Sequence, residues 1–328
     1  MATQHAKSAC CDALVRRFGK RRRQCIHCKR TWSIRRKRRG PKRKRTARAL
    51  LARVLLGGHT LLQEARHFGS LGRSGIARRF EYALRSFVSA SAPRLPRGPY
   101  ALVVDGVYFT FERREWVLYL MAVKPILSHR MYFLDPVLVK GRERLEVWEE
   151  AFDALPASVR KQIRALVSDG LPGFRELAGR RRWVYQRCHF HLLASLVRGK
   201  GMRRYRTRGS VLRERVVKNA RVLLGSGSTA IYRRARRALR RYAGNPSCPA
   251  YVRKHICELL DREPDFRAFL THSALSLPTT TNAMESTGRI VRKATRTART
   301  PESLRLRAVA FLRLKRSVTC NGSCDTQN

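Results

Sequence analysis

Apolar positions divide the chain into three regimes. In residues 47–88 they recur at helical spacing: Leu50, Leu51, Val54 and Leu55, then Leu61, Leu62 and Ala65, then Ile76, Phe80 and Leu84. Breaks at Gly57–Gly58 and at "GSLGRS" predict three short helices, the third opening near Ser74 and carrying Arg78 and Arg79. The Pro/Ser-rich "SASAPRLPRGP" then marks a boundary. Strand-like runs follow: "YALVVDGVYFTF" (100–111), "WVLYLMAV" (116–123) and "MYFLDPVLV" (131–139). A helical pattern, "RERLEVWEEAFDAL", leads to a buried strand "IRALVSD" (163–169), a turn or helix at "GLPGFRELAG", and a strand "RWVYQ". The order is β-β-β-α-β-α-β, which predicts an α/β fold with a mixed sheet and helices on its faces. Residues 192–277 show no strand pattern. "VLRERVVKNARVLLG" and "AIYRRARRALRRYAG" read as basic amphipathic helices of an all-helical insertion. After Pro278 helical spacing returns, with a break near Pro301, until about Arg316. The tail 317–328 reads as frayed.

Charge changes the picture most. The chain has 328 residues, a formal net charge of +50 and a sequence pI of about 11.6, yet 43% of it is hydrophobic. It therefore folds, and it needs a polyanion or counterions to offset self-repulsion. Spread-out basic charge points to nucleic acid through counterion release from phosphates. A membrane is the weaker reading, because every apolar run falls far short of the roughly 20 residues a span needs. The N-terminus carries no signal-peptide apolar segment, so an intracellular, cytoplasmic and nucleoid-associated protein is expected. Nine cysteines, an odd number, argue against a disulfide framework. Four of them, Cys10, Cys11, Cys25 and Cys28, precede residue 29, where a zinc site could form. The charge run "RRKRRGPKRKR" (35–45) reads as a solvated linker or a phosphate-gripping arm.

With only 22 acids against 72 Lys and Arg, each acid can be weighed singly. Most sit on amphipathic helices, where solvation or ion pairing accounts for them; Glu143, Glu146, Glu149, Glu150 and Asp153 share one such segment. Asp105 and Asp169 differ. Each interrupts or ends a buried apolar strand and precedes a glycine. An ionised carboxylate is expensive to bury alone, and two on neighbouring strands repel unless a cation lies between them. The bland alternative for either one is Asp-Gly turn chemistry. Asp135, followed by Pro136, is a weaker rival. Mg²⁺ takes carboxylate oxygens, and two such ions serve phosphoryl transfer. The lone acid in "TTTNAMESTGRIVRK", Glu285, would be the third ligand, on a helix with Thr280 or Thr281 as N-cap and Asn282 one turn earlier. Its bland alternative is an ion pair with Arg289.

"VVDGVYF", "LVSDGLPGF", "QRCHFH" and "TTTNAMESTGR", in this order, resemble the DDE transposases of bacterial insertion sequences, the Mutator-like group in particular. The resemblance implies an RNase H-like catalytic core, β-β-β-α-β-α-β-[all-α insertion]-α. It implies that Asp105, Asp169 and Glu285 hold two Mg²⁺ (or Mn²⁺) ions, and that Asn282, Cys188 and His191 support the site. Cys188 and His191 are also explicable as a buried thiol and a core histidine. With His189 and His191 on alternate strand positions, Cys188 is expected to point away from both. "CIHCKRTW" resembles the second knuckle of a zinc ribbon. The first knuckle departs from pattern: Ser8 stands where a cysteine is expected, Cys10 or His5 could replace it, and Cys10 and Cys11 on one ion would be strained. The Zn²⁺ set would be Cys10, Cys11, Cys25 and Cys28, and a decayed site is the alternative.

The segments expected are a zinc-ribbon-like segment and basic arm (1–45), a helix-turn-helix resemblance (46–90), the first part of the core (99–191), the helical insertion (192–277), the last core helices (278–316) and the tail (317–328). The partners implied are double-stranded DNA, as terminal inverted repeats and target, gripped by Arg78, Arg79, Arg289 and Arg292, and a second copy in a dimer or larger assembly. Rival readings are a nuclease or resolvase on the same core, a non-catalytic DNA-binding protein descended from such an enzyme, and, third, an RNA-binding protein.

Overall fold

The computed structural model describes residues 8, 10–18, 22–33, 46–68, 72–90, 92, 94–197 and 210–319. The basic run 35–45, His5, loop residues 69–71, insertion residues 198–209 and the tail from 320 lie outside the described residues. The chain divides into two compact units, Met1–Thr46 and Ala47–Asn328.

The first unit is a three-stranded antiparallel sheet of β1 (Val15–Phe18), β2 (Arg22–Cys25) and β3 (Thr31–Ser33), in that order. Its buried described residues are Ser8, Gln24 and Cys25. Three strands this short with one buried thiol and two buried polar groups do not make a hydrophobic core, so something else must hold the unit together.

The second unit is mixed α/β. It opens with α1 (Ala47–Leu55), α2 (Leu61–Phe68) and α3 (Arg73–Ser89), where the apolar spacing predicts them. Glu64 is fully buried between α1 and α2. It accepts from Arg53 at 2.8–3.0 Å and meets His59 Nδ1 at 2.9 Å. A buried carboxylate persists there because a guanidinium fork satisfies it.

Next come the long strands β4 (Tyr100–Phe111) and β5 (Arg114–Pro125), paired along their whole length. Glu112 and Arg113 turn the corner at φ 48° and 62°, the conformation of a tight two-residue hairpin loop. The expected third strand is two: β6 (Arg130–Phe133) and β7 (Val137–Lys140) both pair with β5. The chain breaks between them at Asp135–Pro136, since proline cannot donate to a ladder. Then follow α4 (Leu145–Asp153), α5 (Ala157–Arg160), β8 (Ile163–Ser168), α6 (Phe174–Arg180) and β9 (Val184–Arg187). β8 runs parallel to β4, and β9 parallel to β8.

After β9 the chain is helical: α7 (His189–Val197), α8 (Ser210–Gly225), α9 (Thr229–Gly244), α10 (Ala250–Asp261), α11 (Glu263–Thr271), a 3-10 turn at Ser273–Leu275, α12 (Asn282–Thr295) and α13 (Pro301–Lys315). Residues 317–319, expected to fray, instead form β10 (Ser317–Thr319) and pair with β6. The sheet order is β10-β6-β5-β4-β8-β9, with β7 also on β5.

Strand alternation assigns the two faces. Ala101, Val103 and Val107 of β4, with Leu118, Leu120 and Ala122 of β5, share a core with α1, α3, α12 and α13. Leu102 and Val104, with Tyr119 and Met121, pack on Trp148 and Phe152 of α4 and Phe174 and Leu177 of α6. Helices α7–α11 bury a separate core that includes Val216, Leu239, Val252 and Ile256. The first three helices thus share the sheet's core rather than forming one of their own. Arg313 adds a polar tie, bonding Asp135 at 2.6 and 2.9 Å and the carbonyls of Val88 and Ala90 at the end of α3.

Helix α12 approaches β4 at Gly288, where an added Cβ would stand 2.8 Å from Val107 Cγ2. Gly288→Ala should therefore destabilise by about 1–3 kcal/mol through overpacking. Val107→Ala in the same chain should relieve part of that loss, so the double variant costs less than the sum of the singles in urea unfolding.

Candidate functional site

The sheet carries one carboxylate in an otherwise apolar row. Asp105 lies in the middle of β4, on the same face as Val103 and Val107, opposite Leu120 of β5 and 9% exposed. The Asp-Gly pair here is not a turn, because β4 runs straight through it. At the second Asp-Gly pair the turn is real: β8 ends at Ser168 and Gly170 takes φ 106°. The last β4–β8 pair is Val103 with Val167, and continuing that register by two residues sets Asp105 level with Asp169. Parallel pairing thus puts two carboxylates side by side where β8 leaves the sheet.

The third comes from α12. Gly288, flush against Val107, lets this helix lie close on β4, and Glu285 stands one turn before it. Glu285 reaches Arg289 only at 4.0 Å, and the Arg289 side chain is 65% exposed. The Glu285 Oε2 is buried and accepts no hydrogen bond. The expected ion pair with Arg289 is therefore present, but at the limit of contact and exposed, so it contributes little. Asn282 opens α12 and is exposed, three residues before Glu285.

Cys188 and His191 are not on a strand. The chain turns into α7 at His189, so residues three apart fall on one side, and Cys188 and His191 stand together. Cys188 Sγ accepts from Thr281 N at 3.1 Å and from Thr281 Oγ1 at 3.2 Å, capping the start of α12. His191 Nδ1 lies 3.5 Å from Thr281 Oγ1. Thr281 is the N-cap, as expected, but its hydroxyl serves Cys188 rather than its own helix. His189 faces the insertion, its Nε2 2.6 Å from the Phe266 carbonyl, so it is not available to the acids. His189 N also donates to Thr279 O at 2.8 Å.

One acid was passed over in the sequence. Glu143 precedes α4 rather than riding on it. Its carboxylate accepts from Tyr108 OH at 2.7 Å and from the buried Trp148 Nε1 at 2.8 Å. It lies where a Cβ on Gly106 would be, with Oε2 2.7 Å from that position. The only sequence signal was that glycine, in the middle of a strand.

The electrostatics follow from this crowding. Burial first, then the charge of Asp169, push the Asp105 carboxyl up to about 7; Glu143 and Glu285 add to the push, and His191 opposes it. Burial raises Glu143 against the hydrogen bonds from Tyr108 and Trp148, and Asp169 raises it further. His191 is raised to about 9, chiefly by its hydrogen bond with Cys188 and against burial, with Asp169 and Asp105 contributing. Burial works against ionisation of Cys188, but the bonds from His191 and Thr281 outweigh it and lower the thiol. Asp105, Asp169 and Glu143 form no ion pair among the described residues, although cationic side chains outnumber acids 72 to 22. Asp105 is buried while Asp169 and Glu143 are half-buried; hard-oxygen donors that repel one another in this way are of the type a divalent cation takes, but among the described residues the acids do not form the close ligand cluster that the cysteines do.

The first unit holds a second donor set. The sulfurs of Cys10, Cys11, Cys25 and Cys28 lie within 4.8 Å of one another and could bind a metal such as zinc. A tetrahedral Zn–S distance of about 2.3 Å sets sulfurs about 3.8 Å apart. The strain expected of Cys10 and Cys11 on one ion is absorbed by a turn, with Asp12 at φ 50°. Ser8 acts beside the set: its hydroxyl donates to Cys25 Sγ at 3.3 Å and accepts from Ala13 N at 3.2 Å. That bond, then one from the Cys28 backbone, lowers the Cys25 thiol to about 6.

Arg78 and Arg79 are exposed on α3, and Arg289 and Arg292 on α12 beside Glu285. Among the described residues no helix is long and apolar enough to cross a membrane. No protein-family model matches the chain, and no curated protein matches it in sequence.

Asp105 ordinarily titrates near 3.8 and here near 7. Since the folded value is the higher, its contribution to stability is complete below about pH 4 and is lost as pH rises through 7. In divalent-free buffer Asp105→Asn should thus be more stable than wild type at pH 8 by about 2–4 kcal/mol, and equal to it at pH 4. Urea unfolding at the two pH values measures this. For the first unit, one zinc per chain is expected by elemental analysis, and Cys25→Ser should lose it. Chelation should collapse the amide dispersion of residues 8–33 while leaving the melting of the second unit unchanged.

Proposed function

We propose that the chain is a DNA transposase of the DDE type, with an RNase H-like core, that cleaves at the ends of a mobile element and joins them to target DNA. The observation that carries this reading is the placement of Asp105 in β4 with Asp169, past the end of β8, and Glu285, on α12, near enough to act on its charge, while His191 opposes them. The same three residues stand in the motifs that resemble that family, in the same order.

Asp105, Asp169 and Glu285 would hold the divalent cations. When bound, such ions supply Lewis acidity to the phosphodiester and neutralise charge on the attacking and leaving oxygens. The chain's own residues do the rest. Asp105 is fixed by its strand and by Leu120 opposite, so its oxygens are positioned before DNA arrives. Glu285 is positioned by the contact of α12 with Val107 and by the Cys188–Thr281 cap. Arg289 and Arg292 flank Glu285 on the exposed side of α12, where phosphates of the bound strand would lie.

Hydrolysis of the phosphodiester at the element end forms a P–O bond to water as the P–O3′ bond breaks, leaving a 5′-phosphate on one side and a free 3′-hydroxyl on the other. That hydroxyl then attacks a target phosphodiester, forming one P–O bond and releasing a target 3′-hydroxyl, so no covalent protein–DNA adduct is required. Arg78 and Arg79 of α3, in the segment resembling a helix-turn-helix, would contact the terminal repeats. The basic faces of α8 and α9 would hold flanking or target DNA. The four-cysteine cluster is read as a zinc ribbon. Two ends need two catalytic centres, which implies at least a dimer on DNA.

The deciding experiment incubates the protein with labelled element-end DNA and Mg²⁺ and resolves nicked and joined products. Both are expected with wild type. Asp105→Asn, Asp169→Asn and Glu285→Gln should each abolish both while binding the same DNA within about threefold, because the substitutions leave the phosphate-binding arginines intact. Nicking without joining would favour a nuclease or resolvase. DNA binding without either product would favour a non-catalytic DNA-binding protein.

A further inference from the structure

The reading of Asp105, Asp169 and Glu285 as a cation site leaves Glu143 unexplained. Its chemistry is unusual for this chain. It is a half-buried carboxylate with no ion pair among the described residues, in a protein with 72 cationic side chains. Both of its oxygens are tethered, one by Tyr108 OH at 2.7 Å and one by Trp148 Nε1 at 2.8 Å. The second tether is rigid, because Trp148 is fully buried and packs edge-on against Tyr119 with ring centroids 4.7 Å apart. Neighbouring Arg144 N donates to Tyr119 OH at 3.1 Å, fixing the backbone beside Glu143 as well.

The place reserved for it is equally specific. Gly106 follows Asp105 in β4, and any side chain there would strike the Glu143 carboxylate, whose Oε2 is 2.7 Å and Oε1 3.0 Å from the Cβ position. Gly106 takes no unusual backbone conformation, so room is the only reason the structure gives for a glycine. Alternation sends the Asp105 side chain to one face and leaves Glu143 against the other, at the same level of β4. Asp169, at the end of the neighbouring strand, acts electrostatically on both. Two further observations point to a ligand rather than a bare acid cluster: Asp105 is more than nine-tenths buried and makes no hydrogen bond or ion pair among the described residues, and the Glu285 Oε2 is buried and unbonded.

We propose that Glu143 is a fourth carboxylate of the cation site, adding charge and accepting hydrogen bonds from the hydration shell of a divalent ion held by Asp105 and Asp169. A hydration-shell role fits its position. Mg²⁺ and Mn²⁺ keep several waters when bound by few carboxylates, and partners outside the first shell commonly change metal affinity by about 10–100-fold. This inference rests on the cation-site reading, and its test separates the two.

The test titrates Mn²⁺ into the zinc-loaded full-length protein by calorimetry at neutral pH, without DNA. Wild type should bind saturably and Asp105→Asn should not. Glu143→Gln, whose amide oxygen can accept from Trp148 Nε1 while its NH2 donates to the Tyr108 hydroxyl, should raise Kd about tenfold. Gly106→Ala keeps Glu143 but displaces its carboxylate, and should weaken binding by a similar factor. The double variant should bind no more weakly than Glu143→Gln alone, since both changes remove one contribution. Wild-type affinity in Glu143→Gln, or additive losses in the double variant, would overturn the role of Glu143. Equal Mn²⁺ binding by wild type and Asp105→Asn, or no binding by wild type, would overturn the cation site itself.

Discussion

Two carboxyls, Asp105 within β4 and Asp169 just past the end of its parallel neighbour β8, are the constraint around which this fold is arranged. The β4–β8 register decides it, because a slip of one residue would send Asp105 to the face covered by α4 and α6. Folding buries Asp105 among valines and leucines, and nothing in the chain compensates it fully. The cost appears as the displaced titration of Asp105, and the rest of the sheet's apolar surface has to carry it. Such uncompensated burial is seldom retained for stability. Among the described residues neither Asp105 nor Asp169 forms an ion pair with a lysine or arginine, and their charges act on each other instead.

The surrounding elements supply that place without filling it. On one face α12 is brought down by Gly288 and capped by Cys188; on the other, Gly106 leaves room for Glu143. Among the named influences on Asp105, His191 is the protein cation that opposes its rise. The arginines of α12 face outward instead. Acidic charge is thus gathered around Asp105, while Arg289 and Arg292 are exposed on the same helix as Glu285.

Much of this was legible from residues alone. The alternation of β4, β5 and β8 and the helical spacing after Pro278 placed their elements, because period-2 and period-3.6 patterns of buried residues leave few choices. Scarcity of acids made Asp105, Asp169 and Glu285 conspicuous. What stayed hidden depended on contacts distant in sequence. Glu143 looked like one of several helix-surface acids because its segment is rich in them, and only the fold shows that it stands before the helix, under Tyr108 and Trp148. Strand geometry predicts that Cys188 faces away from His191; the helix that begins at His189 reverses that. Ser317–Thr319 carried no strand signal of its own, being three residues whose pairing with β6 depends on where α13 delivers them. The Cys10–Cys11 pair looked strained on one ion because the turn at Asp12 was not foreseeable.

The hydrogen bond from His189 N to Thr279 O joins the two ends of the helical insertion. The helices between them are still rooted in the sheet, because Gln186 of β9 bonds the backbone of Phe266 and Phe269 in α11, and Arg187 pairs with Glu258 of α10. Chain length between the second and third carboxylates therefore has more freedom in the helices farthest from β9 than in α11, whose seat on the sheet is shared with the segment that leads to Glu285.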